Sequence, residues 1–108
     1  MISVKVIKNK SISRIEISGH SGYDVSGKDI VCASVSSIVI TSVNAIIRMD
    51  ENAISYKEDE GYVEVIVNNH SKEVDILLDN MISLLKEYLM ILKYLEIILI
   101  MLSLMMLD

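Results

Sequence analysis

The chain has 108 residues, of which 52% are hydrophobic and 23% charged, so it is long enough for one folded domain and too apolar to be intrinsically disordered. Fifteen acidic residues against ten basic ones give a formal net charge of −5, which argues against a broad basic surface and so against direct nucleic-acid binding. The single cysteine cannot form an internal disulfide, and the N-terminus lacks the apolar core of a secretory signal; both features predict a reducing, cytoplasmic location.

The first elements predicted along the chain are the two strands of a hairpin. Period-two alternation of apolar residues indicates a strand over residues 2–8, and a run rich in β-branched residues indicates a second over residues 12–18. Gly19 and His20 follow directly after the second strand. The hairpin is therefore expected to present His20 at an edge of the sheet.

A loop and a long helix come next. Residues 21–27 supply two glycines, and apolar positions then recur at three- and four-residue steps over residues 28–48, as the buried face of a helix requires. If this helix begins near Asp29, Cys32 lies in its first turn and Ser36 lies one turn later on the same face.

A second hairpin and a second helix complete the predicted fold. Strands over residues 52–57 and 62–68 flank a polar turn. Ser71 and the acidic residues after it indicate the start of a helix whose apolar stripe reaches Leu85. The order ββαββα predicts an α+β domain over residues 1–87, with a small antiparallel sheet and two helices packed on it.

Residues 88–108 form an apolar C-terminal extension. The stretch 97–107 is almost wholly apolar, but eleven residues are fewer than the ~20 needed to cross a bilayer. Lys93 and Glu96 interrupt the longer window, and each charge is costly inside a membrane. We therefore expect the second helix to continue into this extension and to be buried against a protein partner, without a membrane.

Cys32 and His20 carry the chemistry needed for nucleophilic catalysis. A cysteine acts as a nucleophile when it is a thiolate, which a helix N-terminus and a protonated neighbour both favour. Cys32 in a first helical turn would meet the first condition, and His20 folded over that turn would meet the second. Backbone N–H groups of the same turn would then stabilise an oxyanion.

Each of these residues also has a structural interpretation, which composition alone favours. A lone cysteine is commonly a small buried hydrophobe, and a lone histidine at a strand end is commonly structural or solvated. Asp29 is either a first-turn acid favoured by the helix dipole or a residue that orients His20. Ser36 either fills space against the sheet or reaches the substrate with its hydroxyl.

No metal or cofactor site is expected from the sequence. One cysteine and two histidines cannot supply the spacing of a structural zinc site. Gly19, Gly22 and Gly27 match neither the P-loop nor the dinucleotide-binding pattern.

The segment from Gly19 to Ser36 resembles the signature of the Prp family, the bacterial ribosomal-processing cysteine proteases. That family has a Gly-His pair after the first hairpin, a mobile loop, and Gly-x-Asp-Ile-Val-Cys-Ala at a helix start. The residues that carry the resemblance are Gly19-His20-Ser21, Tyr23, Gly27, Asp29-Ile30-Val31-Cys32-Ala33 and Ser36. The match is tight over residues 19–46, looser over 1–87, and absent after Glu87, where the family has an acidic segment and a short final strand.

The resemblance implies a cytoplasmic, homodimeric cysteine endopeptidase, with no cofactor, that removes the N-terminal extension of a large-subunit ribosomal protein precursor, the protein numbered twenty-seven. It implies Cys32 as the nucleophile and His20 as the general base. Substrate-binding or supporting roles are implied for other residues of the signature: Gly19, Gly22, Gly27, Asp29 and Ser36.

Two further functions are compatible with the sequence. A non-catalytic, ribosome-associated module would use the same groove to hold a peptide, and an ordinary thiol pKa at Cys32 would favour that function. A membrane-attached adaptor would depend on the extension after Glu87 alone, and partition of the chain into membranes would favour it.

Overall fold

Six elements follow one another in the computed structural model, which describes residues 2–19, 25–59 and 61–106, with residues 25–33 described in their backbone. They are β1 (Ile2–Asn9), β2 (Ser11–Gly19), α1 (Val25–Met49), β3 (Ile54–Asp59), β4 (Tyr62–Val67) and α2 (Lys72–Met105). This order confirms the predicted ββαββα arrangement and the α+β class.

The four strands form one antiparallel sheet in the order β1-β2-β4-β3. The two hairpins therefore meet through their second strands, β2 and β4. Ser18, near the end of β2, pairs with Tyr62 at the start of β4, and Tyr62 also pairs with Asp59 at the end of β3. The end of the first hairpin thus lies beside the turn of the second.

One face of the sheet is covered by the two helices, because each helix has a continuous apolar stripe. The predicted stripes are confirmed by residues that are at least nine-tenths buried: Val35, Val39, Val43 and Ile46 on α1, and Val74, Leu78, Met81 and Leu85 on α2. On the sheet they meet Ile15, Ile17 and Val65. Burying one such side chain contributes about 1.5–3 kcal/mol relative to exposure, so this layer stabilises the whole domain.

Local hydrogen bonds set two of the element boundaries. β3 begins two residues later than predicted because Asp50 forms a turn before it. The Asp50 side chain accepts a hydrogen bond from the Asn52 N–H, and its backbone carbonyl accepts one from the Ala53 N–H, each at 3.0 Å. At α2 the predicted start is confirmed, since the Ser71 side chain accepts a hydrogen bond from the Val74 N–H at 3.1 Å.

α2 continues without interruption for 34 residues. Its buried residues end at Leu85, and Tyr88 is still partly buried against the core. The large apolar side chains described from Met90 onward are exposed, at 47–83% of their surface. Within the described residues no strand follows β4. By length and composition this helix could cross a membrane.

Candidate functional site

A cleft opens at the end of the sheet where β2 finishes. Its volume is about 150 Å³. Four parts of the chain form its walls: the start of β1, the end of β2, the third and fourth turns of α1, and the β3–β4 hairpin around its turn. The lining residues are Ile2, Ile17, Ser18, Gly19, Val35, Ser36, Glu58, Asp59, Gly61, Tyr62 and Val63.

The backbone of Gly19 joins the first hairpin to the second at this cleft. The Gly19 N–H donates a hydrogen bond to the Gly61 carbonyl at 3.0 Å. Gly19 has φ 107° and Gly61 has φ 70°, angles that residues with a Cβ adopt only at a cost. Glycine at position 19 therefore lets the chain turn off the sheet while its N–H stays paired.

α1 provides the opposite wall through Val35 and Ser36. The Ser36 side chain is exposed, whereas Val35 is buried. Cys32 belongs to the same helix, and residues that are three or four positions apart lie on the same face of a helix. Cys32 is thus one turn before the two residues that line the cleft.

The start of α1 differs from the sequence-based prediction. The helix begins at Val25 and has no acidic residue in its first turn, so Gly27 lies in that turn, while Asp29 and Cys32 lie in the second. The interpretation of Asp29 as a first-turn acid and the placement of Cys32 in the first turn are therefore wrong. The helix dipole acts mainly within the terminal turn, so it contributes less to a thiolate at Cys32 than expected.

The other half of the predicted dyad has no described structure. His20 and Gly22 lie outside the described residues, and Cys32 is described in its backbone alone. Gly19, the residue immediately before His20, is the last residue of β2 and lines the cleft. The cleft is therefore lined by a close neighbour of each predicted catalytic residue, Gly19 for His20 and Ser36 for Cys32.

An acidic wall borders the cleft on the β3 side. Glu58 and Asp59, the last two residues of β3, both line it and are exposed. The Tyr56 hydroxyl donates a hydrogen bond to the Glu58 carboxylate at 3.0 Å. Burial, and then this hydrogen bond, raises the pKa of Tyr56 above its ordinary value. The hydroxyl therefore stays protonated and holds Glu58 in place.

Tyr62 connects the cleft to a charged network on the outer face of the sheet. Its hydroxyl donates to Glu64 at 2.7 Å, and Arg14 pairs with Glu64 and, at 3.0 Å, with Glu16. The hydrogen bond from Tyr62, with the ion pair to Arg14, lowers the pKa of Glu64. The same hydrogen bond raises the pKa of Tyr62. The network fixes the ring of Tyr62 at the edge of the cleft.

The second histidine is remote from this cleft. His70 lies 3.2 Å from the Ser11 hydroxyl and 3.5 Å from the Asp75 carboxylate, and Ser11 begins β2 whereas Gly19 ends it. Among the described residues, no three His, Cys, Asp or Glu side chains are grouped so that they could hold a metal ion.

Sequence reasoning missed the wall formed by Glu58, Asp59, Gly61 and Tyr62. The charged stretch there looks like a solvated turn when only neighbours in sequence are considered. The missing information was the pairing of β2 with β4, which brings residues more than forty positions apart to one edge. Gly61 suits a tight hairpin turn, which indicates that β3 and β4 pair with each other. Comparing the possible orders of the two hairpins in one sheet could then have suggested the pairing of β2 with β4.

Comparison with known proteins identifies relatives of this fold. The family model described as "Cysteine protease Prp" matches residues 1–94, which extends the similarity seven residues past Glu87, where the sequence resemblance was expected to stop. A search of curated proteins found no significant match.

Three solved structures are similar to this chain, each covering 82% of it. The essential ribosomal processing protease Prp from S. aureus in complex with a substrate peptide is 26% identical, with a TM-score of 0.71 over 88% of that chain. Its complex with a covalently linked product peptide is 27% identical, with a TM-score of 0.69 over 92% of that chain. SMU.848 from Streptococcus mutans is 27% identical, with a TM-score of 0.70 over 83% of that chain.

Proposed function

The chain belongs to the cysteine protease Prp family, and from that premise we propose that it is an endopeptidase that removes the N-terminal extension of a large-subunit ribosomal protein, the one numbered twenty-seven. The observation that supports this function is that Gly19 and Ser36 line one cleft. Gly19 directly precedes His20, and Ser36 lies one helical turn after Cys32. The substrate peptide and the covalent product peptide in the S. aureus complexes are consistent with peptide cleavage at a thiol.

The proposed mechanism uses Cys32 and His20 as a dyad. His20 takes the proton from the Cys32 thiol, and the thiolate attacks the scissile carbonyl to form a tetrahedral intermediate. As the C–N bond breaks, His20 gives that proton to the leaving amine, which departs and leaves a thioester on Cys32. His20 then removes a proton from water as the water oxygen attacks the thioester; when the C–S bond breaks, His20 returns that proton to the Cys32 sulfur, and the new carboxyl group loses its own proton to solvent.

The cleft has the character that a segment of a basic protein requires. Ile17, Val35 and Val63 give it an apolar floor, and Glu58 and Asp59 give it an acidic rim. Apolar side chains of the peptide would be buried against the floor, while the rim would attract lysine or arginine. Ribosomal proteins are basic because they bind RNA, and this chain carries a net charge of −5. We further propose that it acts as a cytoplasmic homodimer, as the family resemblance implies.

The experiment is cleavage of a peptide that spans the N-terminal extension, followed by mass spectrometry. The parent protein is expected to cleave this peptide at a single bond, and Cys32→Ala and His20→Ala are each expected to abolish that cleavage. His70→Ala is the matched control, because His70 lies at the opposite end of β2, and it should cleave at close to the parent rate. Cleavage by a folded Cys32→Ala protein would refute the proposal.

One observation favours a second function, a non-catalytic ribosome-associated module that holds a peptide. Cys32 lies in the second turn of α1, where the helix terminus does less to stabilise a thiolate. The two functions differ in the reactivity of Cys32. A pKa near the ordinary ~8.5 for a thiol, together with peptide binding that Cys32→Ser leaves unchanged and an absence of cleavage, would establish the binding module.

A further inference from the structure

The far half of α2 is an apolar surface without a partner among the residues that the structure describes. The large apolar side chains that the structure describes between Met90 and Met106 are exposed, and the most apolar 18-residue window of the helix has none of its described residues buried. The core helix of a soluble domain would be mostly buried. A secretory signal would lie near the N-terminus, whereas this helix spans Lys72–Met105.

Apolar side chains lie on every side of this part of the helix, and this distribution distinguishes a cover of lipid from a cover of protein. Successive residues are about 100° apart, so any four consecutive residues go once round the helix. The six consecutive residues 97–102 are apolar, and each is exposed by 47–61%. A second copy of the chain would cover one stripe of such a helix and leave the rest in water. Lipid surrounds a helix on every side.

We propose that this part of α2 inserts into a lipid bilayer and anchors the domain to its cytoplasmic face. Residues 89–106 would span about 27 Å at 1.5 Å per residue, close to the ~30 Å hydrocarbon core. Lys93 lies toward the domain, where its long side chain reaches the headgroups. Glu96 follows Lys93 by three positions in the sequence, a spacing at which opposite charges on a helix favour each other.

This anchor replaces the protein partner expected from the sequence. That expectation depended on the short length of the apolar run 97–107 and on the cost of Lys93 and Glu96 in the longer window. The continuous helix joins that run to residues 89–96, and the joined segment has the length of a span in which Lys93 lies toward the domain and Glu96 lies near the middle. The anchor is independent of the chemistry at Cys32.

The test is synthesis of the full chain in a cell-free system with phosphatidylcholine vesicles, followed by flotation and an alkaline carbonate wash. The parent chain is expected to float and to resist the wash, and high salt should not release it because the attraction is apolar. The double variant Ile98→Lys/Leu102→Glu places an i,i+4 pair of charges in the segment and should reduce the floating fraction at least about tenfold.

The matched control is Ile76→Lys/Asn80→Glu, which places the same pair on exposed positions of the docked half of α2 and should float like the parent. Peptide cleavage by each variant reports separately on the fold of the domain and on the proposed activity. A parent chain that stays at the bottom of the gradient, as an aggregate or as a defined oligomer, would refute the anchor. Flotation of the Ile98→Lys/Leu102→Glu variant to the same extent as the parent would refute it as well.

Discussion

The N–H of Gly19 and the carbonyl of Gly61 form a 3.0 Å hydrogen bond between the end of one hairpin and the turn of the other. Both residues have positive φ, so the contact depends on two glycines that are 42 positions apart. Because the residue after Gly19 is His20, this bond limits where the chain can leave the sheet. The point at which the chain leaves the sheet, just before the proposed general base, is therefore set by a long-range backbone contact.

Gly19→Ala is expected to destabilise the domain by about 1–3 kcal/mol, because a Cβ is strongly disfavoured at φ 107°. The variant should also lose most of its peptide cleavage, since the chain can relieve the strain only by moving the residues next to His20. Urea unfolding and the cleavage assay measure the two effects. The control is Gly61→Ala, at φ 70°, with an expected cost of about 1–2 kcal/mol. Unchanged stability in Gly19→Ala would show that the residue tolerates a side chain.

Ser36→Ala is expected to lower kcat/KM for the peptide by about two- to tenfold, the effect of losing one hydrogen bond of roughly 0.5–1.5 kcal/mol. Ser36 is exposed and lines the cleft, so its hydroxyl is available to substrate. The neighbouring Ser37 is also exposed but does not line the cleft. Ser37→Ala should stay within about twofold of the parent, and equal effects of the two substitutions would argue against a substrate contact at Ser36.

Glu58→Gln is expected to raise KM by about 1.4- to fivefold for peptides with a lysine beside the apolar residues, since an exposed ion pair contributes about 0.2–1 kcal/mol. The same peptide with glutamine in place of lysine should show no change. The comparison is made at low and high salt, where screening should abolish the difference. Glu51→Gln, an exposed acid outside the cleft, is the charge-matched control. An equal rise in KM for both peptides would mean that Glu58 does not select for charge.

Acid stability should depend on Glu64. Tyr62 and Arg14 lower its pKa in the folded protein below the ordinary 4.5, so the folded state binds this proton less readily than the unfolded chain does. The resulting stability is fully present above pH 4.5 and is lost as the pH falls through the lower folded pKa.

Glu64→Gln is therefore expected to flatten the fall in unfolding free energy below pH 4.5. Urea titrations at a series of pH values measure this. Parallel slopes for the parent and Glu64→Gln would contradict the origin assigned to the lowered pKa.

The sequence predicted the elements well because the apolar periods are strong. Alternation over β1 and the three- and four-residue steps of α1 and α2 follow directly from which face is buried. Boundaries that depend on local hydrogen bonding were less accurate. Asp50 delays β3, and α1 extends back to Val25 through Gly27, a poor helix former that suggested a later start.

The candidate site was predicted only where its residues are close in sequence. The signature from Gly19 to Ser36 indicated one region of the cleft, but Glu58 and Tyr62 come from a different hairpin. Their contribution depends on β2 pairing with β4, and no local pattern encodes that pairing. The single sequence therefore indicated the proposed chemistry of the site. It did not indicate the residues of the second hairpin, which would select a substrate.

The unbroken course of α2 has a mechanical consequence for the domain. The chain has no proline, and the helix has no glycine within Lys72–Met105, so it lacks the usual positions for a hinge. At 1.5 Å per residue its 34 residues form one unbroken helix about 51 Å long. The first half of this helix is packed on the sheet through the buried side chains of Leu78, Met81 and Leu85. Whatever holds the other end therefore also sets the direction in which the mouth of the cleft faces, and a peptide must approach from that direction.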